Sequence, residues 1–297
     1  MSTLNTCTSS TRPGSPSAGD TLFQEDTNQI IVWSGSAWKL YDSDGAAYQD
    51  SDITALSPHI WLDGQGSYFY DDHNKSNLVT FDNSSVGAWA DRSGNGFDFV
   101  QSTVNSRPII VNNFGVNNKT FLHYDGDQLS FTGTTSSEIP ANPSTLFLVA
   151  LIYPIQAKNL IKSTDSSLRI RTLVPSGIDT FRLALDDFGG VGDGSTFALT
   201  DDNIGLRKNI FIYALRGGSS LIESFVNGAV SADTETNIPT GNIFNNGATY
   251  DILDDNITTS PNFLGEFMVF DSALSDANMN TVFGYLSNKY GIAVATI

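Results

Sequence analysis

The sequence predicts an all-β chain, a jelly-roll sandwich closed by one C-terminal helix and preceded by a small β-meander. Three observations carry this expectation. From Ala55 onward, short β-type runs recur between clusters of Gly, Asn, Asp and Pro. A pattern of helical period stands out at the C-terminus. Cys7 is the lone cysteine of 297 residues, so no intrachain disulfide or thiolate metal cluster holds the fold, which must rest on burial and backbone pairing.

Along the chain, Thr6 to Ala18 is rich in Ser, Thr, Pro and Gly without an apolar period, the composition of an arm. Leu22-Phe23, then Gln29 to Trp33, then Trp38 to Tyr41 are β-type runs around turns at Asp26-Thr27-Asn28 and Ser34-Gly35-Ser36. They predict a three-stranded meander with Phe23, Ile31, Trp33 and Trp38 as its apolar contacts. A sheet that small buries too little surface to stand alone and needs a partner. Asp42-Ser43-Asp44-Gly45 reads as a linker, which sets residues 1–45 apart from residues 55–297.

In the larger region, Leu146 to Tyr153 is apolar throughout, as a strand covered on both faces would be. Phe181 to Leu185 alternates, as a half-exposed strand does. Further strands are expected at Leu168–Leu173, Asn209–Leu215, Leu221–Val226 and Leu264–Phe270, with a hairpin turn at Asn227-Gly228. For the helix, Ser275 suits the N-cap and Asp276 the first turn. Met279, Val282, Phe283, Leu286 and Tyr290 form one stripe, Lys289 suits the last turn, and Gly291 the C′ position. This helix is expected against the sandwich edge or the meander.

Fifteen Lys+Arg against thirty-two Asp+Glu leave a net charge of −17, which repels phosphate backbones and argues against nucleic-acid binding. The 40% hydrophobic content supplies a core. There is no apolar run of membrane-spanning length, so no membrane insertion is expected. The first residues lack a basic region followed by an apolar stretch, so they do not read as a secretion signal.

Several segments carry a resemblance: Ser57 to Asp63 with Trp61, Val86 to Gly96 with Trp89-Ala90-Asp91-Arg92-Ser93-Gly94-Asn95-Gly96, Arg107-Pro108, Leu122 to Leu129, and Gly265 to Asp276 leading into the final helix. In this order, residues 55–297 resemble the laminin-G-like, concanavalin-A-like lectin/glucanase superfamily. Separately, Arg12-Pro13, Pro16, Gly19-Asp20, Phe23, Asp26-Thr27-Asn28, Val32-Trp33 and Gly35 to Trp38 are similar to a short module of tailed-phage virion proteins, those of marine phages in particular. This second resemblance implies a non-enzymatic structural protein at the virion surface, as a capsid decoration or fibre; the alternative is a tail-fibre or receptor-binding lectin for a cell-surface polysaccharide, and after it a secreted glycoside hydrolase. Arg12, Pro13, Phe23, Ile31, Trp33 and Trp38 would attach to other virion proteins, and a lectin-like head would face outward. Further copies of the chain are the other partners this implies, although no coiled-coil heptad argues for them.

The hydrolases of that superfamily commonly carry a Glu-x-Asp-x-x-Glu pattern. Here Glu25, Glu138, Glu223, Glu235 and Glu266 are isolated, and Glu266 reads as an exposed or edge carboxylate, so no enzyme is expected. His59, His73 and His123 share no catalytic spacing and read as packing or surface residues. Asp186, Asp187 and Asp193, with Asp254 and Asp255, supply loop oxygens of the kind calcium takes, while Asp equally crowds turns for local backbone bonding. No other cofactor is indicated. Carbohydrate contact is expected first at Tyr68 and Tyr70, beside Asp71 and Asp72, since at least one ring of the Tyr68-Phe69-Tyr70 run faces out however the strand turns. Trp61 and Trp89 are expected in the core.

Overall fold

The computed structural model describes residues 5–8, 10–17, 20–24, 29–33, 38–40, 50–79, 81–115, 117–132, 139–140, 143–151, 158–163, 169–173, 180–186, 192–198, 210–218, 222–230, 242–244, 248–252 and 262–297, some strand residues by backbone alone. The chain divides into two units, Met1–Ala55 and Leu56–Ile297.

In the first unit, β1 (Asn5–Cys7), β2 (Thr21–Gln24), β3 (Gln29–Trp33) and β4 (Trp38–Leu40) form one sheet in that order. The antiparallel meander β2–β3–β4 agrees with the sequence reading, and β1 adds a fourth strand, parallel to β2. Asn5-Thr6-Cys7 has no hydrophobic signal, yet its backbone pairs the open edge of β2, and Cys7 joins Leu22 and Ile31 in a small core. Phe23, opposite Ile30 rather than in that core, is half-buried, as is Trp33; Arg12 and Pro13 are exposed. The Trp38 side chain lies outside the described residues. A short helix that the sequence reading did not anticipate, α1 (Asp50–Ala55), buries Ile53, and its Thr54 hydroxyl donates to the Asp50 carbonyl at 2.9 Å.

The second unit is a sandwich of two large sheets, with a separate two-stranded one formed by β12 (Ile139–Pro140) and β21 (Asn242–Phe244). Among the described residues, the first has eight strands: β20 (Ala229–Val230), β19 (Ile222–Val226), β18 (Phe211–Gly217), β13 (Ser144–Leu151), β23 (Asn262–Phe270), β10 (Lys119–Tyr124) and β9 (Ile109–Phe114), with β5 (Ile60–Leu62) also pairing with β23. The second has nine: β17 (Gly192–Ala198), β16 (Thr180–Asp186), β15 (Arg169–Leu173), β14 (Lys158–Ser163), β22 (Thr249–Ile252), β11 (Leu129–Thr132), β8 (Phe99–Val100), β7 (Ala88–Trp89) and β6 (Phe69–Tyr70). Both sheets contribute to one core: Leu146, Leu148, Leu264, Phe267 and Val269 come from the first, and Phe69, Trp89, Phe99, Tyr250 and Ile252 from the second. The turn expected at Asn227-Gly228 has φ of 49° and 78°, the double positive that a type I′ hairpin requires.

The C-terminal helix α2 (Asp276–Tyr290) begins where the Ser275 side chain accepts from the Asn278 N–H and ends at Gly291 in the left-handed region, φ 68°. It lies not on the sandwich edge but on the outer face of the eight-stranded sheet. Phe283 meets Phe147 at 5.2 Å and Phe225 at 6.1 Å, and Tyr290 meets Phe121 at 5.4 Å. This cover explains why all eight residues of β13 are buried: Leu146 and Leu148 face the other sheet while Phe147 faces the helix.

Candidate functional site

Strand β23 carries a bulge at Gly265. Its neighbours Leu264 and Glu266 pair with the adjacent residues Ala150 and Val149 of β13, so Gly265 has no partner of its own there. Leu264 and Phe267 consequently both enter the inter-sheet core, and Glu266 is turned outward beneath the helix. This corrects the reading of Glu266 as an exposed or edge carboxylate: only 1% of it reaches solvent.

Around Glu266 the end of β5 and the last turn of α2 converge. The Trp61 indole N–H donates to Glu266 Oε1 at 2.7 Å, and the Tyr290 hydroxyl lies 2.9 Å from both Glu266 Oε2 and the Gly265 carbonyl. Lys289 places its ammonium 2.6 Å from Asp63 Oδ1, 2.7 Å from Glu266 Oε2 and 2.9 Å from the Tyr285 hydroxyl. Lys289 occupies the last turn as expected, but as a buried cation rather than a solvated one. Arg92 donates to Asp63 Oδ2, and its guanidinium lies 4.2 Å from the Trp61 ring centroid and 5.4 Å from that of Tyr68. Asp63 is fully buried and the Lys289 side chain is 9% exposed; that of Arg92, at 20%, leads towards the surface.

Burial raises the Glu266 carboxyl to about 7, against the opposing pull of Lys289. Asp63 is held below the usual carboxylate range: burial would raise it, but Lys289 and Arg92 outweigh that. A carboxyl raised on folding binds its proton more tightly in the native state, so it contributes most stability below its unfolded value of 4.5 and loses that contribution as pH rises towards 7. Thermal melts across this window are expected to show a steeper decline for the wild type than for Glu266→Gln. Parallel curves would refute the assignment.

Arg92 connects this cluster to the rim. Phe69 is buried, 5.4 Å from Trp89, and the flanking Tyr68 and Tyr70 are half-buried. Asp71 is exposed, and its carbonyl accepts from Arg107 at 2.6 Å. Asp72 is half-buried; the Ser76 N–H bonds its Oδ1 at 2.9 Å, which holds that carboxyl below its ordinary value. Lys75 pairs with Asp98. Tyr68, Tyr70, Asp71 and Asp72, neighbours in the sequence, thus lie at and just beside β6, the end strand of the nine-stranded sheet.

The Asp91 to Gly96 motif builds a loop. The Asp91 carboxylate accepts from the Trp61, Ser93 and Phe97 N–H groups at 2.9, 3.0 and 3.1 Å and from the Ser93 hydroxyl at 2.6 Å. His59 is half-buried, its ring 4.9 Å from Phe97; the His123 ring lies tilted 4.8 Å from that of Phe263, and His73 is exposed. Of the calcium candidates, Asp186 and Asp193 lie at the paired ends of β16 and β17 with only their backbone described; Asp187, Asp254 and Asp255 lie outside the described residues. Among the described residues no group of three or more His, Cys, Asp or Glu side chains is placed to hold a metal ion. Nor is any described helix long and apolar enough to cross a membrane.

The chain is similar in fold to the binding domain of Paraclostridial Mosquitocidal Protein 1 (TM-score 0.53, 14% identity, 67% of this chain and 50% of that one). It is also similar to the ligand binding domain of Botulinum neurotoxin serotype D in complex with N-acetylneuraminic acid (TM-score 0.50, 12% identity, 77% and 51%). The receptor binding domain of botulinum neurotoxin D gives a TM-score of 0.51 at 12% identity, with 78% and 53% covered. The chain thus spans about half the length of these chains, and at such identities the likeness is one of β-sandwich fold. No protein-family model and no curated protein matches the sequence.

Proposed function

We propose that the chain is a non-enzymatic structural protein of a tailed-phage particle, attached through its N-terminal unit and displaying the β-sandwich as an adhesive head, in a capsid decoration or fibre. The small core of that unit carries the reading: Cys7, Leu22 and Ile31 are its described apolar cluster, too little buried surface for a free-standing sheet. Half-buried Phe23 and Trp33, with exposed Arg12 and Pro13, are the groups offered to virion partners. Deleting residues 1–45 tests this directly. Particles assembled with the truncated chain should lack it, and normal incorporation would defeat the attachment role.

For the head, the rim favours carbohydrate adhesion. Half-buried Tyr70, beside a Tyr68 that packs on the core, offers aromatic surface for sugar C–H groups, and Asp71 and Asp72 offer acceptors for hydroxyls. The buried carboxylates Asp63 and Glu266 are taken up by Lys289 and Arg92, which favours binding over glycoside hydrolysis. One chain of this fold holds N-acetylneuraminic acid. Here a net charge of −17 opposes an anionic sugar, so a neutral glycan is expected to give the stronger signal on an array. Tyr70→Ala should weaken that signal by about tenfold, the loss of one aromatic contact, with little change in melting temperature. Unchanged binding would move the contact away from this rim.

A further inference from the structure

Lys289, Asp63 and Glu266 are arranged as reactants as well as charges. The ammonium nitrogen sits 2.6 Å from Asp63 Oδ1 and 2.7 Å from Glu266 Oε2. Three elements fix these groups: the segment after β5, the bulged strand β23, and the last turn of α2. Solvent is shut out, with Asp63 at 0% and Glu266 at 1% exposure, and Trp61, Tyr285 and Tyr290 are the rings beside them. From this geometry we infer that Lys289 and Asp63 join in an intramolecular isopeptide bond, with Glu266 as the catalytic carboxylate.

The step balances without an oxidant, reductant or co-reactant. Glu266 takes a proton from the Lys289 ammonium, and the freed amine attacks Asp63 Cγ. The Nζ–Cγ bond forms and the Cγ–Oδ1 bond breaks. Of the three ammonium protons, one stays on the amide nitrogen and two leave with Oδ1 as water, so Glu266 ends as it began. Arg92 donates to Oδ2, the oxygen that carries negative charge in the tetrahedral intermediate and remains as the amide carbonyl. The Gln65 N–H, 3.0 Å from Oδ1, supports the departing oxygen. Mutual charge keeps Asp63 and Lys289 ionised at rest, and the nearby carboxyl raised to about 7 exchanges protons close to neutrality. Fixed proximity and the exclusion of water favour condensation over its reversal. The bond would link positions 226 apart and close most of the second unit into a covalent ring.

Intact-mass spectrometry of the full-length chain, purified folded and held at neutral pH, tests the inference. The expected mass is lower than the sequence mass by one water, and tandem spectra of a digest should show the peptide of Asp63 joined to that of Lys289. Lys289→Arg and Glu266→Gln should each restore the sequence mass, with circular dichroism reporting the fold. If either variant fails to fold, Asp63→Asn provides the second readout, since its condensation would expel ammonia instead of water. A folded wild type of full sequence mass would overturn the bond. Water loss persisting in Lys289→Arg would overturn its assignment to Lys289, and linkage persisting in Glu266→Gln would overturn the role of Glu266.

Discussion

Replacing Lys289 with Met is expected to lower the unfolding free energy by about 3–5 kcal/mol, because it leaves the buried Glu266 without its cation and Asp63 with Arg92 alone. At about 2–4 °C per kcal/mol for a domain of this size, the melting midpoint should fall by roughly 6–20 °C. The Met side chain fills much of the volume of Lys, so the loss reports on charge more than on packing. Combining Lys289→Met with Glu266→Gln should recover part of it, since a neutral amide still accepts from Trp61 through its oxygen and donates to the Tyr290 hydroxyl, which keeps the Gly265 carbonyl as its acceptor, without a charge to compensate. Denaturant titrations of the single and double variants give the coupling directly. Additive losses would show that Lys289 and Glu266 do not act as a unit.

Gly64→Ala should be of comparable size for a steric reason. A Cβ built at Gly64 would stand 1.8 Å from the Gly265 carbonyl oxygen and 2.8 Å from the Tyr290 hydroxyl. The first obstacle is backbone, held in a strand that pairs on both sides, so it has no rotamer in which to yield. Separating the segment after β5 from β23 would also part Asp63 from Lys289. A cost of about 3 kcal/mol or more is expected, read as low soluble yield or a midpoint depressed by roughly 6 °C or more. A variant as stable as the wild type would mean that the two segments can move apart freely.

Much of the architecture was legible because local signals and global burial agree. The unbroken apolar run through β13 means cover on both faces, and the cap, stripe and C′ glycine of α2 each serve the same helix. Trp61 and Trp89 are buried as expected, and Tyr68 and Tyr70 flank a buried Phe69. The ionic cluster was not legible. Simple alternation along β23 puts Glu266 on the same face as Leu264, and only the bulge at Gly265, a matter of pairing with β13, sends the two to opposite sides. Its partners come from 226 residues apart in sequence, a separation that no local pattern reports. One signal was available: Lys289 lies seven residues beyond Val282 and three beyond Leu286, on the apolar stripe rather than opposite it. Strand β1 escaped notice because edge pairing needs only backbone groups, which every sequence has.

The position of β23 also governs how the chain can be made. This strand lies between β13 and the pair β5 and β10, yet its first residue, Asn262, follows the last of β13, Leu151, by 111 positions. At about 5–20 residues per second, β13 is synthesised on the order of 10 s before the strand and helix that cover it. Throughout that interval the buried segment Leu146–Leu151 lacks β23, one of its two sheet neighbours, and its helical roof. Nascent chains should therefore depend on chaperones, and slower growth at low temperature should raise the soluble yield.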